Sequence, residues 1–215
     1  MKQKILPSIM AKSQKELNQD CKNLDKVVKY LHLDVIDGKF ANNKTFNFNF
    51  KLSNKFSYIL HLMVKKPEQW IENKNILKRK NIELIIPHFE EINNVKNYIH
   101  FIKKKKRKVS LAILPKTKIS SIKKYLINLD YLLILTVQPG FYGSKFLKSN
   151  LNKIKQAKKI NPNLQVIVDG GINPETIKLA LLAGANYFVS GSYITKIENP
   201  KQRIKNLLQS IKSAK

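Results

Sequence analysis

Short apolar runs alternate along the chain with lysine-rich stretches whose apolar residues recur at helical spacing. The runs at 5–10, 30–37, 58–64, 82–87, 109–114, 131–137, 164–169 and 187–190 predict eight strands. Helices are expected between most of them, beginning with 14–28, where Leu17, Cys21, Leu24 and Val27 share one face. Further helical patterns cover 67–78, 92–105, 118–126, 145–159, 174–183 and 200–212. Pro67, Pro174 and Pro200 suit first-turn positions, where a missing N–H leaves no bond unmade. The stretch 39–54 is long and only weakly helical. Strands alternating with helices indicate βαβ units and a parallel sheet. Eight such units in 215 residues predict a single-domain α/β protein, a (β/α)8 TIM barrel over 1–215. An open doubly wound sheet is the alternative that pattern alone does not exclude.

Composition narrows the class. A hydrophobic fraction of 43% is that of a globular chain. One cysteine, Cys21, cannot form an intramolecular disulfide, which suits a reducing cytoplasm. The first sixteen residues carry too short an apolar run for a signal peptide, and no segment reaches about 18 apolar residues, so no membrane span is expected. Forty-one Lys and Arg against fourteen Asp and Glu give a net charge of +27. Such a charge attracts nucleic acid, but it equally draws in a phosphorylated metabolite. The lysines are spread along the whole chain, which favours a solvated cationic surface. Only the run 103–108 (KKKKRK) is dense enough to be a patch, and it falls where a helix should pass into a strand. Nucleic-acid binding is expected to be non-specific at most.

The chemistry-bearing residues sit on the predicted strands. In Leu31-His32-Leu33-Asp34-Val35-Ile36-Asp37-Gly38, side-chain alternation puts His32, Asp34 and Ile36 on one face. A histidine and a carboxylate pointing into a barrel need partners, and a metal satisfies both. His61 supplies a second imidazole, and Asp169 closes a strand at the carboxyl end, where barrel enzymes carry their reactive groups. His32, Asp34, His61 and Asp169 therefore form a candidate four-ligand set for one divalent metal ion: zinc, iron, manganese or cobalt. His88, at the end of the fourth run, and His100, in a lysine-rich helix, do not share this logic. Both are expected to be supporting or surface residues, with a place at the pocket mouth open to His88. Gly140 and Gly143, Gly170-Gly171 and Gly191-Ser192 follow three consecutive strands, where backbone N–H groups can wrap phosphate oxygens. Neither a Walker-type phosphate loop nor a Gly-x-Gly-x-x-Gly fingerprint is present.

These segments resemble the ribulose-phosphate 3-epimerase family. The likeness runs through Pro7-Ser8-Ile9, His32 to Phe40, His61 to Val64, Thr136 to Phe146, Val168 to Ile172 and Gly184 to Ser192, in order from first strand to last. The resemblance implies that His32, Asp34, His61 and Asp169 hold the metal and that Asp34 and Asp169 are also the catalytic acid/base pair. It implies substrate contacts at Ser8, His61 and Asp169, and at the loops Gly140, Phe141, Tyr142, Gly143, then Gly170, Gly171, then Gly191, Ser192. Ile36, Met63 and Leu135 take the places of residues that cap the reactive centre, where methionine is usual at all three. Other departures are Asn42 for a proline, Gln138 for Glu or Asn, Tyr142 for a glycine and Ser144 for a glutamine. None removes a proposed ligand. The expected reaction is C3 epimerisation of ribulose 5-phosphate in the pentose phosphate pathway, through an enediolate, by a homo-oligomer. Allulose 6-phosphate or another phosphorylated ketose is the alternative substrate. A basic nucleic-acid-binding barrel without catalysis is the alternative of another class.

Overall fold

The computed structural model describes residues 4–195 and 198–214. Nine strands form: β1 Ile5–Ile9, β2 Tyr30–Asp37, β3 Lys44–Thr45, β4 Ser57–Met63, β5 Ile82–Pro87, β6 Ser110–Ile113, β7 Tyr131–Leu135, β8 Gln165–Asp169 and β9 Tyr187–Ser190. All but β3 lie parallel in the order β5-β4-β2-β1-β9-β8-β7-β6. A parallel bridge between His88 and Ala112 brings β5 against β6 and closes the ring. The Ser110 hydroxyl reinforces that seam by donating to the Ile85 carbonyl at 2.6 Å. The result is the expected eight-stranded barrel, and the open-sheet alternative is excluded by the closed order.

Alternation divides each strand between two cores. Leu6, Ile59, Leu84, Ile86, Ala112, Leu133, Leu135, Ile167 and Val189 pack inside the barrel. The neighbouring positions, such as Leu31, Leu33, Leu60, Leu132 and Phe188, face the surrounding helices. Burial on both faces explains why the strands read as near-continuous apolar runs. The outer ring comprises α1 Gln14–Leu24, α2 Pro67–Asn73, α3 Val95–Lys104, α4 Ile119–Ile122, α5 Leu151–Ile160, α6 Thr176–Leu182, α7 Ser192–Thr195 and α8 Pro200–Ser213. Ser13 starts α1 by accepting the Glu16 N–H at 3.2 Å, and Pro67 and Pro200 occupy first-turn positions as expected. Pro174 instead precedes α6, which begins at Thr176.

Two connections depart from the sequence pattern. The stretch after β2 holds no α-helix: β3 pairs antiparallel with β2, and the Thr45 hydroxyl donates to the Asp34 carbonyl while accepting the Ile36 N–H. Phe46, Phe48 and Phe50, with ring centroids 5.3–6.1 Å apart, fill the layer a helix would occupy. The helix expected from residue 145 starts instead at Leu151. Leu147 N–H bonds the Thr136 carbonyl at 2.6 Å and the Asn150 amide donates to the Leu135 carbonyl at 2.8 Å, tying the preceding loop to the barrel mouth.

The basic run at 103–108 does pass from α3 towards β6, and Arg107 is a tether within it. Its guanidinium donates to the carbonyls of Leu77, Arg79 and Ile82. No helix among the described residues is long and apolar enough to cross a membrane. Because the β5–β6 seam has little ladder of its own, Ser110→Ala is expected to lower stability by about 1 kcal/mol. Denaturant unfolding measures the loss, and amide exchange should quicken selectively along β5 and β6.

Candidate active site

Register brings four polar side chains together at the carboxyl ends of the strands. Asp34 on β2 stands opposite His61 on β4, Ser8 on β1 opposite His32, and Asp169 on β8 opposite Leu135 on β7. His32 Nε2 lies 3.1 Å from Asp34 Oδ1 and 3.5 Å from Asp169 Oδ2. His61 Nδ1 lies 2.9 Å and 3.1 Å from the same two oxygens. One donor atom from each of the four residues falls within 4.8 Å of the others, and all four residues are buried. Ser8 donates its hydroxyl hydrogen to Asp34 Oδ2. Thr136 steadies the end of β8 from the next strand: its hydroxyl reaches the carbonyls of Gly170 at 2.6 Å and Asp169 at 3.0 Å.

This cluster demands positive charge. Burial alone pulls His32 down, but the facing carboxylates of Asp34 and Asp169 outweigh it and push His32 up to about 10. The same opposition raises His61. Asp34 and Asp169 are both held below the usual carboxylate range despite burial, chiefly by the two imidazoles. Two buried anions next to each other are tolerable only beside cations. A divalent ion meets that need with the mixed nitrogen and oxygen donors present, so the cluster can hold a metal.

The cavity beside the cluster is walled by Ser8, Asp34, Met63, Leu135 and Asp169, and by the loops at 137–144, 170–172 and 191–192. Among the candidate substrate contacts, Gly140, Phe141, Tyr142, Gly143, Gly170, Gly171, Gly191 and Ser192 all reach this wall. Phe141 is 57% exposed, so it stands at the mouth. Tyr142 donates its hydroxyl to the Ser8 carbonyl at 3.0 Å, and its ring lies where a Cβ on Gly191 would approach to 2.2 Å. The phenol thus crosses the cavity from one loop to another. Met63 and Leu135 line the wall, whereas Ile36 is fully buried and absent from it.

A family model described as the Ribulose-phosphate 3 epimerase family matches residues 4–195. The chain belongs to this family. It is therefore an epimerase, an enzyme of the isomerase class. Ribulose-phosphate 3-epimerase from Schizosaccharomyces pombe is 31% identical, with 98% of this chain and 95% of the relative covered. The Bacillus subtilis enzyme of the same name is 30% identical over 95% of this chain and 97% of its own length. Among solved structures, a tryptophan synthase alpha-subunit from Pyrococcus furiosus superposes with a TM-score of 0.71 at 18% identity, covering 96% of this chain and 98% of the other. A 3-hexulose-6-phosphate synthase superposes at 0.68 with 14% identity, covering 97% and 100%. At such identities the superpositions establish the barrel alone.

Within this epimerase, residue reasoning missed one partnership. His88, expected only as a supporting or surface residue, is fully buried, and its Nε2 lies 2.9 Å from His61 Nε2. Its Nδ1 lies 3.2 Å from Glu90 Oε2, a residue that strand pattern and charge do not single out. The available signal was His88-x-Glu90 directly after a strand ending in Pro87. His100 is exposed on α3.

Gly170 is a conformational requirement of the site. It adopts φ +104°, and a Cβ there would lie 2.3 Å from Val137 Cγ2. Gly170→Ala is expected to cost about 1–3 kcal/mol of stability through backbone strain. A lowered thermal midpoint measures that cost.

Proposed function

We propose that this chain, as one catalytic domain over its whole length, interconverts D-ribulose 5-phosphate and D-xylulose 5-phosphate by moving the proton on C3. The proton next to the C2 ketone leaves from one face and returns on the other, through an enediolate. Two acid/base groups flanking the carbon meet that need, and the proposed pair is Asp34 and Asp169. The observation that carries the reading is an asymmetry in the cluster. Both carboxylates line the cavity, while His32 and His61 are fully buried and absent from its wall. The imidazoles are then placed to hold and the carboxylates to react.

A divalent ion of zinc, iron, manganese or cobalt, held by His32, Asp34, His61 and Asp169, would supply Lewis-acid charge against the negative charge developing beside C2. One aspartate enters ionised and takes the C3 proton; the other enters protonated and gives its proton to the opposite face. Their states exchange with the direction of reaction, and the pair titrates jointly. Met63 and Leu135, with Ile36 packed against the barrel interior, keep water from the reactive carbon. Ser8 contacts the sugar, and His61, behind the wall, acts on it through the metal, while the loops at Gly140–Gly143, Gly170-Gly171 and Gly191-Ser192 receive the phosphate through backbone N–H groups. The net charge of +27 draws the anionic substrate inward and leaves nucleic acid only non-specific, salt-sensitive contact. The enzyme works in the cytoplasm as a homo-oligomer, within the pentose phosphate pathway. A relative from Oryza sativa subsp. japonica, 29% identical with 98% of this chain covered, is named as a cytoplasmic isoform.

Asp34→Asn and Asp169→Asn should each lower kcat by at least about 10²–10⁴-fold in conversion of ribulose 5-phosphate to xylulose 5-phosphate. Near-normal turnover by Asp34→Asn with metal bound would overturn the two-carboxylate scheme. Chelation should abolish conversion, and single ions added back should restore it; no conversion under any of the four ions defeats the reading. Side-by-side kcat/KM values should favour ribulose 5-phosphate over allulose 6-phosphate.

A further inference from the structure

The far side of His61 is anchored, and the far side of His32 is not. His32 Nδ1 is buried with no hydrogen-bond partner among the described residues. His61 Nε2, by contrast, meets His88 Nε2 at 2.9 Å, and His88 Nδ1 meets Glu90 Oε2 at 3.2 Å. Glu90 is tied in turn: its Oε1 accepts the Leu114 N–H at 2.9 Å and the Thr117 hydroxyl. Above His88, the Phe40 ring lies 4.5 Å away centroid to centroid. Phe40 is placed by Asp37, whose carboxylate accepts the N–H groups of Lys39, Phe40 and Lys65 at 2.8 Å each. The chain from Thr117 to His61 is thus continuous and held from outside.

With Glu90 ionised and His88 neutral, the hydrogen bonds along this chain run in one direction. An ionised carboxylate only accepts, so His88 Nδ1 must carry the hydrogen that Glu90 receives. A neutral His88 then offers a lone pair at Nε2, so His61 must donate from its own Nε2. Nδ1 of His61 is left to face Asp34 and Asp169, and once a metal takes the place of the proton those carboxylates attract there, its lone pair is the ligand. We propose that His88 and Glu90 are positioning residues that lock His61 as its Nε2–H tautomer, and that they thereby set the affinity of the site for its metal. This rests on the metal reading of the four-residue cluster. It assigns a function to two residues that do not line the cavity and whose hydrogen bonds outside the pair go to His61, Leu114 and Thr117, not to the proposed carboxylate ligands.

The test uses the full-length protein with Zn²⁺ alone as the probe, read by chelator competition. Metal binding by the wild type, weakened in Asp34→Asn, establishes the underlying site; a wild type that binds no Zn²⁺ overturns both the metal reading and this proposal. His88→Leu keeps a similar volume but offers no acceptor, and should raise the Zn²⁺ Kd about 10–100-fold. His88→Gln retains an acceptor oxygen near the Nε2 position and should recover most of that loss. Glu90→Gln, which can still accept but lacks charge, should fall between wild type and His88→Leu. A folded His88→Leu with the wild-type Kd overturns the relay while leaving the metal site intact. Should His88→Leu fail to fold, two-bond ¹⁵N–¹H spectra of the Zn²⁺-loaded wild type decide. They should show His61 protonated at Nε2 and ligated through Nδ1. Ligation through Nε2 would refute the proposal.

Discussion

Asp34 and Asp169 bring two carboxylates side by side into a largely buried site, where an unpaired charge costs several kcal/mol. His32 and His61 are driven towards the charged state by those carboxylates, and a divalent ion answers the same demand with a full double charge. Much of the surrounding architecture can be read as support for that arrangement. Ser8 holds one oxygen of Asp34, and Thr45 clamps the backbone that follows it, from the Asp34 carbonyl to the Ile36 N–H. Thr136 pins the end of β8 where Asp169 departs. The barrel contributes what an open sheet does not: strands distant in sequence aim these groups at one point from several sides.

The supports are polar on one side of the cluster and apolar on the other. Around His61 they extend through His88 and Glu90 to Thr117, a line of hydrogen bonds whose direction is set by the carboxylate at its far end. Burial, against the pull of Glu90, pushes His88 down to about 4, the direction that its proposed role as acceptor for His61 requires. Glu90 is held ionised despite its own burial by His88, Thr117 and the Leu114 N–H. Beneath the cluster, Leu6, Ile59, Leu133 and Ile167 fill the barrel with apolar volume. That low-dielectric floor strengthens every charge interaction above it.

Tyr142 stands where the family resemblance leads one to expect a glycine, and its position has a structural consequence. The ring packs against Gly191, and the hydroxyl is bonded to the Ser8 carbonyl, so the loop after β7 is fastened to both β1 and the loop after β9. Gly191 is required by this contact, since any side chain there would meet the phenol. A glycine at 142 would leave the same space open. Aliphatic Ile36 and Leu135, in contrast, preserve an apolar surround with less polarizable atoms than methionine would bring.

Much of the fold was legible because parallel strands buried on both faces produce long apolar runs, and amphipathic helices between them repeat their own period. The four-residue cluster was legible too: histidine and aspartate at inward strand positions, such as His32 and Asp34, have little reason to be there without a shared partner. The helix boundaries near residue 145 and the absence of a helix after β2 were not. They depend on contacts such as Leu147 to Thr136 and the packing of Phe46 with Phe50, which join residues by tertiary proximity or by a local packing no period encodes. The His61–His88–Glu90 line was hidden for the same reason. His61 lies on β4 and His88 directly follows the neighbouring β5, and only the register of β4 against β5 brings their ring nitrogens within hydrogen-bonding distance. Local periodicity determines which residues face inward; the closure and stagger of the barrel decide which of those meet, because that depends on strand pairing and not on spacing along the chain.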